Sequence, residues 1–265
     1  MPIGQPCSKQ QRNISLSENN TDDMCEDWHV SLELKVCRMR GLFITGTDTG
    51  VGKTYVAALI ARQLVAANYR VGVYKPVASG CRRVEGKYVA DDAVQLWQAA
   101  GCPGTLEHVC PQRFAAPLAP PLSAQAEGKE VDANCLRDGL EFWKNNCDIV
   151  LVEGAGGLMS PISDDDYNAD LAIDFGYPLV VVAPNVLGTI NATLQTLITA
   201  STYDVGLEVC GIVLNGQSPL PDKATCAGNL GELQRRAVPP VLTTVVPEGD
   251  FQTTVPWWQL AGHKQ

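Results

Sequence analysis

The sequence predicts an α/β protein in which helices cover both faces of a mostly parallel, doubly wound sheet, giving three layers. Short apolar runs bounded by turn residues recur along the chain, and segments with helical periodicity lie between them. The chain has 265 residues, of which 45% are hydrophobic and 18% charged, so it can bury a core of its own.

Six apolar or β-branched runs are interpreted as buried parallel strands. They occupy residues 42–45, 71–74, 149–152, 179–183, 209–214 and 241–246. Two of the segments between them show helical spacing, one ended by Asn68 and one preceded by Asp132 as its N-cap. Their apolar positions are Val56, Leu59, Ile60 and Leu64 in the first, and Cys135, Leu136, Leu140 and Trp143 in the second.

The composition excludes several functional classes. A formal net charge of −9 disfavours a nucleic-acid partner, because such surfaces need clustered Lys and Arg. The ten cysteines contain no CxxC pair, which favours reduced thiols and a cytoplasmic location. No apolar run approaches the roughly 20 residues that span a bilayer, so no membrane association is expected.

The composition changes at about residue 38. Residues 1–38 are rich in Ser, Asn, Gln and acidic residues, and are expected to be a disordered extension or a misassigned start. Residues 39–265 are expected to form a single α/β domain. Within it, the proline-rich segment 111–125 cannot be helical throughout, because proline removes backbone donors; it is either a linker or a loop over a site.

The segment GTDTGVGKT, residues 46–54, follows the first predicted strand and opens the first predicted helix. Backbone N–H groups and the helix end can then surround phosphate oxygens, which predicts a fold of the P-loop NTPase type. Lys53 would reach the β and γ phosphates, and Thr54 would offer its hydroxyl to Mg²⁺. Five residues separate Gly46 from Gly52, where the usual GxxxxGK[ST] pattern has four.

Two carboxylates are candidate ligands for that Mg²⁺. Glu153 ends a predicted strand, and the carboxyl ends of parallel strands face the crevice that binds ligands. Asp92 begins a predicted helix, where it is also explained as a first-turn acid favoured by the helix dipole. The glycine-rich residues 154–157 after Glu153 allow the backbone to approach a ligand closely.

Five ordered motifs resemble those of the dethiobiotin synthetase family: GTDTGVGKT, YKPVASG, DDAVQL, VEGAGGLMSPISD and LGTINATL. The resemblance extends from about residue 39 to about residue 250. It implies an ATP-dependent ligase of biotin biosynthesis, which closes a ureido ring from 7,8-diaminononanoate and CO₂ through a carbamate and a carbamic–phosphoric anhydride. It also implies Mg²⁺ as cofactor and a homodimer.

The resemblance assigns roles to individual residues. Lys75 matches a lysine that binds the carbamate and the transferred phosphoryl group, so that Lys75 and Lys53 are the catalytic candidates. Thr54, Asp92 and Glu153 match the Mg²⁺ ligands. Substrate-binding positions are Thr49, Ser79, Gly188 and Asn191, the last also explained by helix packing. ATP-binding positions are Gly50, Val51, Gly52, Lys53, Thr54, Tyr55, Asp92, Glu153, Gly154, Ala155, Gly156, Asn215, Gly216, Pro247 and Glu248.

Two other functional classes stay open. Partition and division-site ATPases share this fold and use ATP as a dimerisation switch, but they carry a lysine five residues before the P-loop lysine, where this chain has Asp48. Related amidoligases and cobyrinate-type synthetases usually add a glutamine-hydrolysing domain, for which this chain has little remaining length. The C-terminal Trp257 and Trp258 are expected to pack against the domain or an interface.

Overall fold

The computed structural model describes residues 39–218 and 223–262, and the prediction for residues 1–38 lies outside these ranges. The strands are β1 (Arg40–Gly46), β2 (Val71–Tyr74), β3 (Val77–Ala78), β4 (Arg82–Val84), β5 (Lys87–Val89), β6 (Gln112–Arg113), β7 (Ile149–Glu153), β8 (Leu179–Pro184), β9 (Val209–Asn215) and β10 (Val241–Val245). Six of them form one sheet in the order β10-β9-β8-β1-β7-β2, with every neighbouring pair parallel.

The helices lie between and after these strands. They are α1 (Lys53–Ala66), α2 (Asp91–Ala99), α3 (Leu106–Val109), α4 (Pro120–Gln125), α5 (Ala133–Asp138), α6 (Glu141–Lys144), α7 (Asn168–Phe175), α8 (Thr189–Thr202), α9 (Lys223–Arg236) and α10 (Trp257–Leu260). Two small sheets, the parallel pair β3-β6 and the antiparallel pair β4-β5, accompany the main one.

The central strands β1, β7 and β8 are shielded from solvent on both faces. Phe43, Leu151 and Val181 in their middles are at most 1% exposed. The chain passes from β1 to β2 at one edge, returns to β7 beside β1, and then adds β8, β9 and β10 on the other side of β1. This order makes the sheet doubly wound and places a ligand crevice at the carboxyl ends of its central strands. The predicted fold class is therefore confirmed, and each predicted strand agrees with the observed one to within two residues.

The two predicted helical segments have different outcomes. The first forms α1, and Asn68 just beyond it adopts a φ of +64°, as a residue after a helix end often does. In the second, the Asp132 carboxylate accepts hydrogen bonds from the N–H groups of Asn134 and Cys135, so the predicted N-cap is present. The pattern is nevertheless divided into α5 and α6 at Gly139, where a Cβ atom would lie 2.3 Å from the Tyr74 hydroxyl.

The proline-rich segment 111–125 is a loop that packs beside the KPVASG motif. Its β6 residues pair in parallel with β3, and the N–H of Gly80 donates to the carbonyl of Ala116 at 3.0 Å. Helix α4 begins with two prolines in its first turn, where their missing N–H groups cost nothing. Of the two interpretations from sequence, a linker is therefore wrong.

The C-terminal segment packs against α1. Trp257 is 2% exposed, and its indole N–H donates to Gln63 Oε1 at 3.0 Å. The Trp258 ring stacks on Tyr69 with 4.1 Å between ring centroids. Trp257 thus packs against α1, and Trp258 packs against the segment that follows α1.

No helix within the described ranges is both long and apolar enough to cross a bilayer. Cys81, Cys102, Cys110, Cys135, Cys147 and Cys210 are free thiols.

Candidate active site

The segment 46–54 forms a tight loop between β1 and α1. Gly50 and Gly52 have φ values of +74° and +90°, which side-chain-bearing residues rarely adopt. At Gly52 a Cβ atom would also lie 2.1 Å from Asn215 Nδ2, so the loop needs glycine there for space as well as for conformation. The loop and the end of β9 are in direct contact as a result.

Lys53 opens α1 and is only 7% exposed. Its ammonium donates to the backbone carbonyl of Asp48 at 3.0 Å, across the loop. Burial lowers the pKa of Lys53 to about 8, with the Glu153 carboxylate opposing this shift and the Lys75 ammonium adding to it. Two ammonium groups close enough for Lys75 to lower the pKa of Lys53 are arranged to share an anion.

Lys75 directly follows β2 and is buried, with 4% of its surface exposed. Its ammonium lies 2.7 Å from Glu153 Oε1 and 3.1 Å from Asp92 Oδ2. Burial alone would lower the pKa of Lys75, but attraction to Glu153 and Asp92 outweighs burial and raises that pKa above its ordinary value. Lys75 is therefore a fixed positive charge inside the site, not a solvent-exposed lysine.

Glu153, at the end of β7, is the centre of this cluster and is 1% exposed. Its Oε1 accepts hydrogen bonds from the Lys75 ammonium and from the Thr54 hydroxyl, the latter at 2.8 Å. Its Oε2 is buried without a partner among the described residues. A buried carboxylate oxygen in this state is costly unless a cation binds it.

The residues Thr54, Asp92 and Glu153 fit a magnesium ion. Their hydroxyl and carboxylate oxygens are the ligands that Mg²⁺ prefers, and Mg²⁺ usually keeps water and substrate phosphate as its other ligands. Within residues 39–218 and 223–262, no group of three His, Cys, Asp or Glu side chains is arranged to hold a metal.

The glycine-rich segment 154–157 lies against the P-loop. A Cβ atom on Gly157 would come within 3.3 Å of the Gly46 carbonyl, and Gly156 adopts a φ of +82°. The side chain of Asn168 holds this segment: its Nδ2 donates to the carbonyls of Ala155 and Gly157, each at 2.7 Å, and its Oδ1 accepts from the Ala155 N–H at 3.1 Å. Sequence reasoning missed Asn168, because these contacts cross from α7 to the preceding loop and leave no local pattern.

The predicted adenine-side residues lie at the ends of β9 and β10. Asn215 Nδ2 donates to the Val51 carbonyl at 2.9 Å, while its Oδ1 is buried and without a partner among the described residues. The Gly216 N–H donates to the Val245 carbonyl at 2.8 Å. Pro247 and Glu248 form the turn that follows β10. The structure thus brings these residues to the same edge of the sheet as the P-loop.

The predicted substrate-side residues are less closely grouped. Thr49 is exposed at the front of the P-loop, and half-buried Ser79 lies between β3 and Gly80. A groove of about 360 Å³ runs beside the P-loop, lined by Asp48, by residues 157–161 and by α8 residues such as Gln195. Gly188 caps the start of α8 with a φ of +93°, and Asn191 is exposed and does not line this groove.

Comparison with known proteins adds relatives over most of the chain. A family model described as an AAA domain matches residues 40–250. The ATP-dependent dethiobiotin synthetase of Rhodopirellula baltica is 44% identical over 214 residues, which are 77% of this chain and 82% of the relative. The enzyme of the same name from Anoxybacillus flavithermus is 36% identical over 227 residues, covering 83% of this chain and all of the relative.

Solved structures with the same fold are more distant in sequence. The signal recognition particle receptor FtsY from Elizabethkingia anophelis, in complex with GDP, has a TM-score of 0.51 at 18% identity, with 87% of this chain and 65% of that chain covered. A ParA family ATPase from Chlorobium tepidum has a TM-score of 0.50 at 12% identity, covering 79% of this chain and 84% of the other. At these identities the likeness extends to the P-loop α/β fold alone.

Proposed function

The chain belongs to the ATP-dependent dethiobiotin synthetase family, and we propose that it makes dethiobiotin from 7,8-diaminononanoate, CO₂ and MgATP, with ADP and phosphate as the other products. The observation that carries this proposal is the pair of buried lysines, Lys53 and Lys75, beside the Thr54–Glu153 contact. One lysine belongs to the phosphate loop and the other stands next to it. This arrangement suits a reaction in which two anions must meet.

The first step forms a carbamate. The N7 amine of the diamine attacks CO₂, a C–N bond forms, and the nitrogen loses a proton, which leaves a carbamate anion. Lys75 would bind this anion, because its ammonium is held charged by Glu153 and Asp92 in a site with little access to water. Thr49 and Ser79 would contact the diamine beside it.

The second step transfers the γ-phosphoryl group. A carbamate oxygen attacks the γ phosphorus, the bond from that phosphorus to the β–γ bridging oxygen breaks, and ADP leaves. Lys53 and the backbone N–H groups of residues 50–55 would hold the β and γ phosphates, while Lys75 offsets the repulsion between carbamate and phosphate. Mg²⁺ held by Thr54, Asp92 and Glu153 would supply further neutralisation of phosphate charge.

The third step closes the ring. The N8 amine attacks the carbonyl carbon of the carbamic–phosphoric anhydride, a second C–N bond forms, and phosphate leaves as the amine loses its proton. Catalysis is mainly positioning, since amine, carbamate and phosphate must be held in line; effective molarities of about 10⁵ M or more are attainable for well-oriented groups.

We also propose a cytoplasmic homodimer. The exposed Gly188 and Asn191 begin α8, and the N–H groups of a helix start can bind a carboxylate. A second subunit would bring this helix start to the distal carboxylate of the substrate in its partner's site. The adenine base would contact Asn215 and the turn at Pro247 and Glu248.

The test is a phosphate-release assay with purified protein, MgATP and bicarbonate, with and without the diamine. Phosphate release that requires the diamine supports the synthetase. Release without the diamine, stimulated instead by a protein or DNA partner, would contradict it and indicate an ATPase switch.

A further inference from the structure

Tyr55 contacts a segment that is far from the P-loop in sequence. It follows Thr54 directly on α1, and its hydroxyl donates to the backbone carbonyl of Gly249 at 2.5 Å. Gly249 belongs to the turn formed by residues 246–250 after β10, here called the base-side turn. The sequence interpretation placed Tyr55 among the ATP-binding positions, and the structure shows that its side chain contacts this turn.

The base-side turn has a defined conformation that a single contact can hold in place. The Gly249 N–H donates to the Val246 carbonyl at 3.0 Å, and Glu248 has a φ of +56°, which is uncommon for a residue other than glycine. A Cβ atom on Gly249 would lie 2.2 Å from Val246 Cγ2. The turn is therefore tightly closed, and Tyr55 binds it at its single glycine, Gly249.

A second attachment to α1 lies on the other side of the turn. The chain returns along β10, where Phe251 forms a bridge with Val245 and the Gln252 N–H donates to the Thr244 carbonyl. The Phe251 ring lies 5.3 Å from the Trp257 ring, and Trp257 is hydrogen-bonded to Gln63 on α1. Two contacts thus connect this part of the chain to α1. Tyr55 bonds to Gly249 in the turn, and Trp257 packs on Phe251 just after the turn while it bonds to Gln63.

The base-side turn lies near the side of the P-loop where the base of a bound nucleotide is expected. β10 neighbours β9, which ends at Asn215, and the Gly216 N–H donates to the Val245 carbonyl just before the turn. Asn215 in turn contacts the P-loop at Val51. A nucleotide whose phosphates lie in the P-loop would extend its base toward this edge of the sheet.

We propose that Tyr55 is a positioning residue for the purine base of the nucleoside triphosphate. Its hydroxyl fixes the base-side turn relative to α1, so that the helix which holds the phosphates also sets the distance to the groups that contact the base. The inference rests on the proposed ATP site, in which the backbone of Tyr55 lies near the phosphates, and it assigns the Tyr55 side chain the separate role of holding the base-side turn.

The test compares Tyr55→Phe with the unaltered protein by calorimetric titration with two probes, MgATP and magnesium tripolyphosphate. Tyr55→Phe removes only the hydroxyl. Loss of one hydrogen bond should weaken MgATP binding by about two- to tenfold. Tripolyphosphate has no base, so its dissociation constant should stay unchanged. Tyr203→Phe is the matched control, because it removes a hydroxyl that bonds Asp170 outside the nucleotide site, and it should leave both constants unchanged.

Three outcomes would count against the inference, and they are distinguishable. Equal weakening of MgATP and tripolyphosphate would mean that Tyr55 acts on the phosphate loop. Unchanged MgATP binding in Tyr55→Phe would mean that the contact has no role in base binding. Absence of MgATP binding in the unaltered protein would overturn the proposed function itself. Trp257→Phe removes the bond to Gln63. Like Tyr55→Phe, it should weaken MgATP binding and leave tripolyphosphate binding unchanged.

Discussion

The Lys75 ammonium and the Glu153 carboxylate form an ion pair at 2.7 Å in which both side chains are almost fully buried. Burying two charges costs desolvation free energy that their attraction does not always repay. Glu153 also accepts a hydrogen bond from the Thr54 hydroxyl, and its second oxygen has no partner among the described residues. Such a pair is better suited to chemistry than to stability.

Lys75→Gln should lower the turnover rate by about 10²- to 10³-fold, because the charge that offsets carbamate–phosphate repulsion during phosphoryl transfer is lost. MgATP binding should change little, since Lys53 and the P-loop backbone remain. Steady-state turnover and calorimetric titration measure the two quantities. Near-normal turnover would remove Lys75 from the proposed role.

Two controls separate chemistry from folding in this variant. Lys75→Gln leaves Glu153 buried without its cation, which should lower the free energy of unfolding by about 3–5 kcal/mol. Adding Glu153→Gln should recover much of that loss without restoring turnover. Lys87→Gln, at an exposed lysine on β5, should behave like the unaltered protein in both measurements.

Thr54→Val and Thr54→Ser test the proposed magnesium site. The valine variant keeps the side-chain shape without the hydroxyl, so the Mg²⁺ concentration for half-maximal turnover should rise by about 10- to 100-fold. The serine variant retains the hydroxyl and should stay close to the unaltered protein. Chelation of the metal should abolish turnover in all three, and equal Mg²⁺ dependence of both variants would exclude Thr54 as a ligand.

Gly52→Ala and Gly50→Ala form a matched pair in the P-loop. Both positions have positive φ, so each substitution should cost about 1–2 kcal/mol in backbone strain. At Gly50 the added Cβ meets no atom within 4 Å, whereas at Gly52 it would lie 2.1 Å from Asn215. Gly52→Ala should therefore lower the free energy of unfolding by about 1–3 kcal/mol more than Gly50→Ala does, as measured by urea unfolding without nucleotide. Equal losses would mean that the Gly52–Asn215 contact is not tight.

The Arg137 side chain connects α5 to the loop before α7, and it predicts a pH dependence. Its Nη2 donates to Asp166 Oδ1 at 2.8 Å and its Nε to Asp174 Oδ2 at 2.7 Å. The Arg137 hydrogen bond lowers the pKa of Asp166 below its ordinary value. A carboxyl with a lowered pKa stabilises the fold above its ordinary pKa, and this contribution is lost as the pH falls below that value.

Arg137→Met should therefore lower the free energy of unfolding by about 1–3 kcal/mol at pH 7, and by less as the pH approaches 3. Urea unfolding at successive pH values measures both effects. The exposed pair Arg70–Asp148 provides the control, and Arg70→Met should have a much smaller effect at pH 7. A loss for Arg137→Met that is independent of pH would show that packing, not the ion pair, is responsible.

Much of the fold was predictable from the sequence for a simple physical reason. Central parallel strands such as β7 and β8 are buried on both faces and therefore appear as continuous apolar runs. The motif resemblance to the dethiobiotin synthetase family is likewise confirmed by relatives that cover most of the chain. The short pairs β3-β6 and β4-β5 were not foreseen, because strands of two or three residues have no periodicity to detect.

The residues of the candidate site were predictable only where they belong to short sequence motifs. Lys53, Thr54 and Glu153 belong to such motifs, and the structure brings their side chains close to Lys75. Asn168 and the bond from Tyr55 to Gly249 were not predictable, since each joins segments whose proximity depends on the folded sheet. The break between α5 and α6 was likewise not predictable, since the Tyr74 hydroxyl that binds the Cys135 and Leu136 carbonyls beside it lies far away in sequence.

The proposed reaction is tested most directly by following the carbon of bicarbonate. Purified protein with the diamine, MgATP and ¹³C-labelled bicarbonate is analysed by mass spectrometry for product and by chromatography for ADP. The proposal predicts dethiobiotin that carries one ¹³C atom, with one ADP formed for each product molecule. Formation of ADP without labelled product, in the presence of all three substrates, would contradict it.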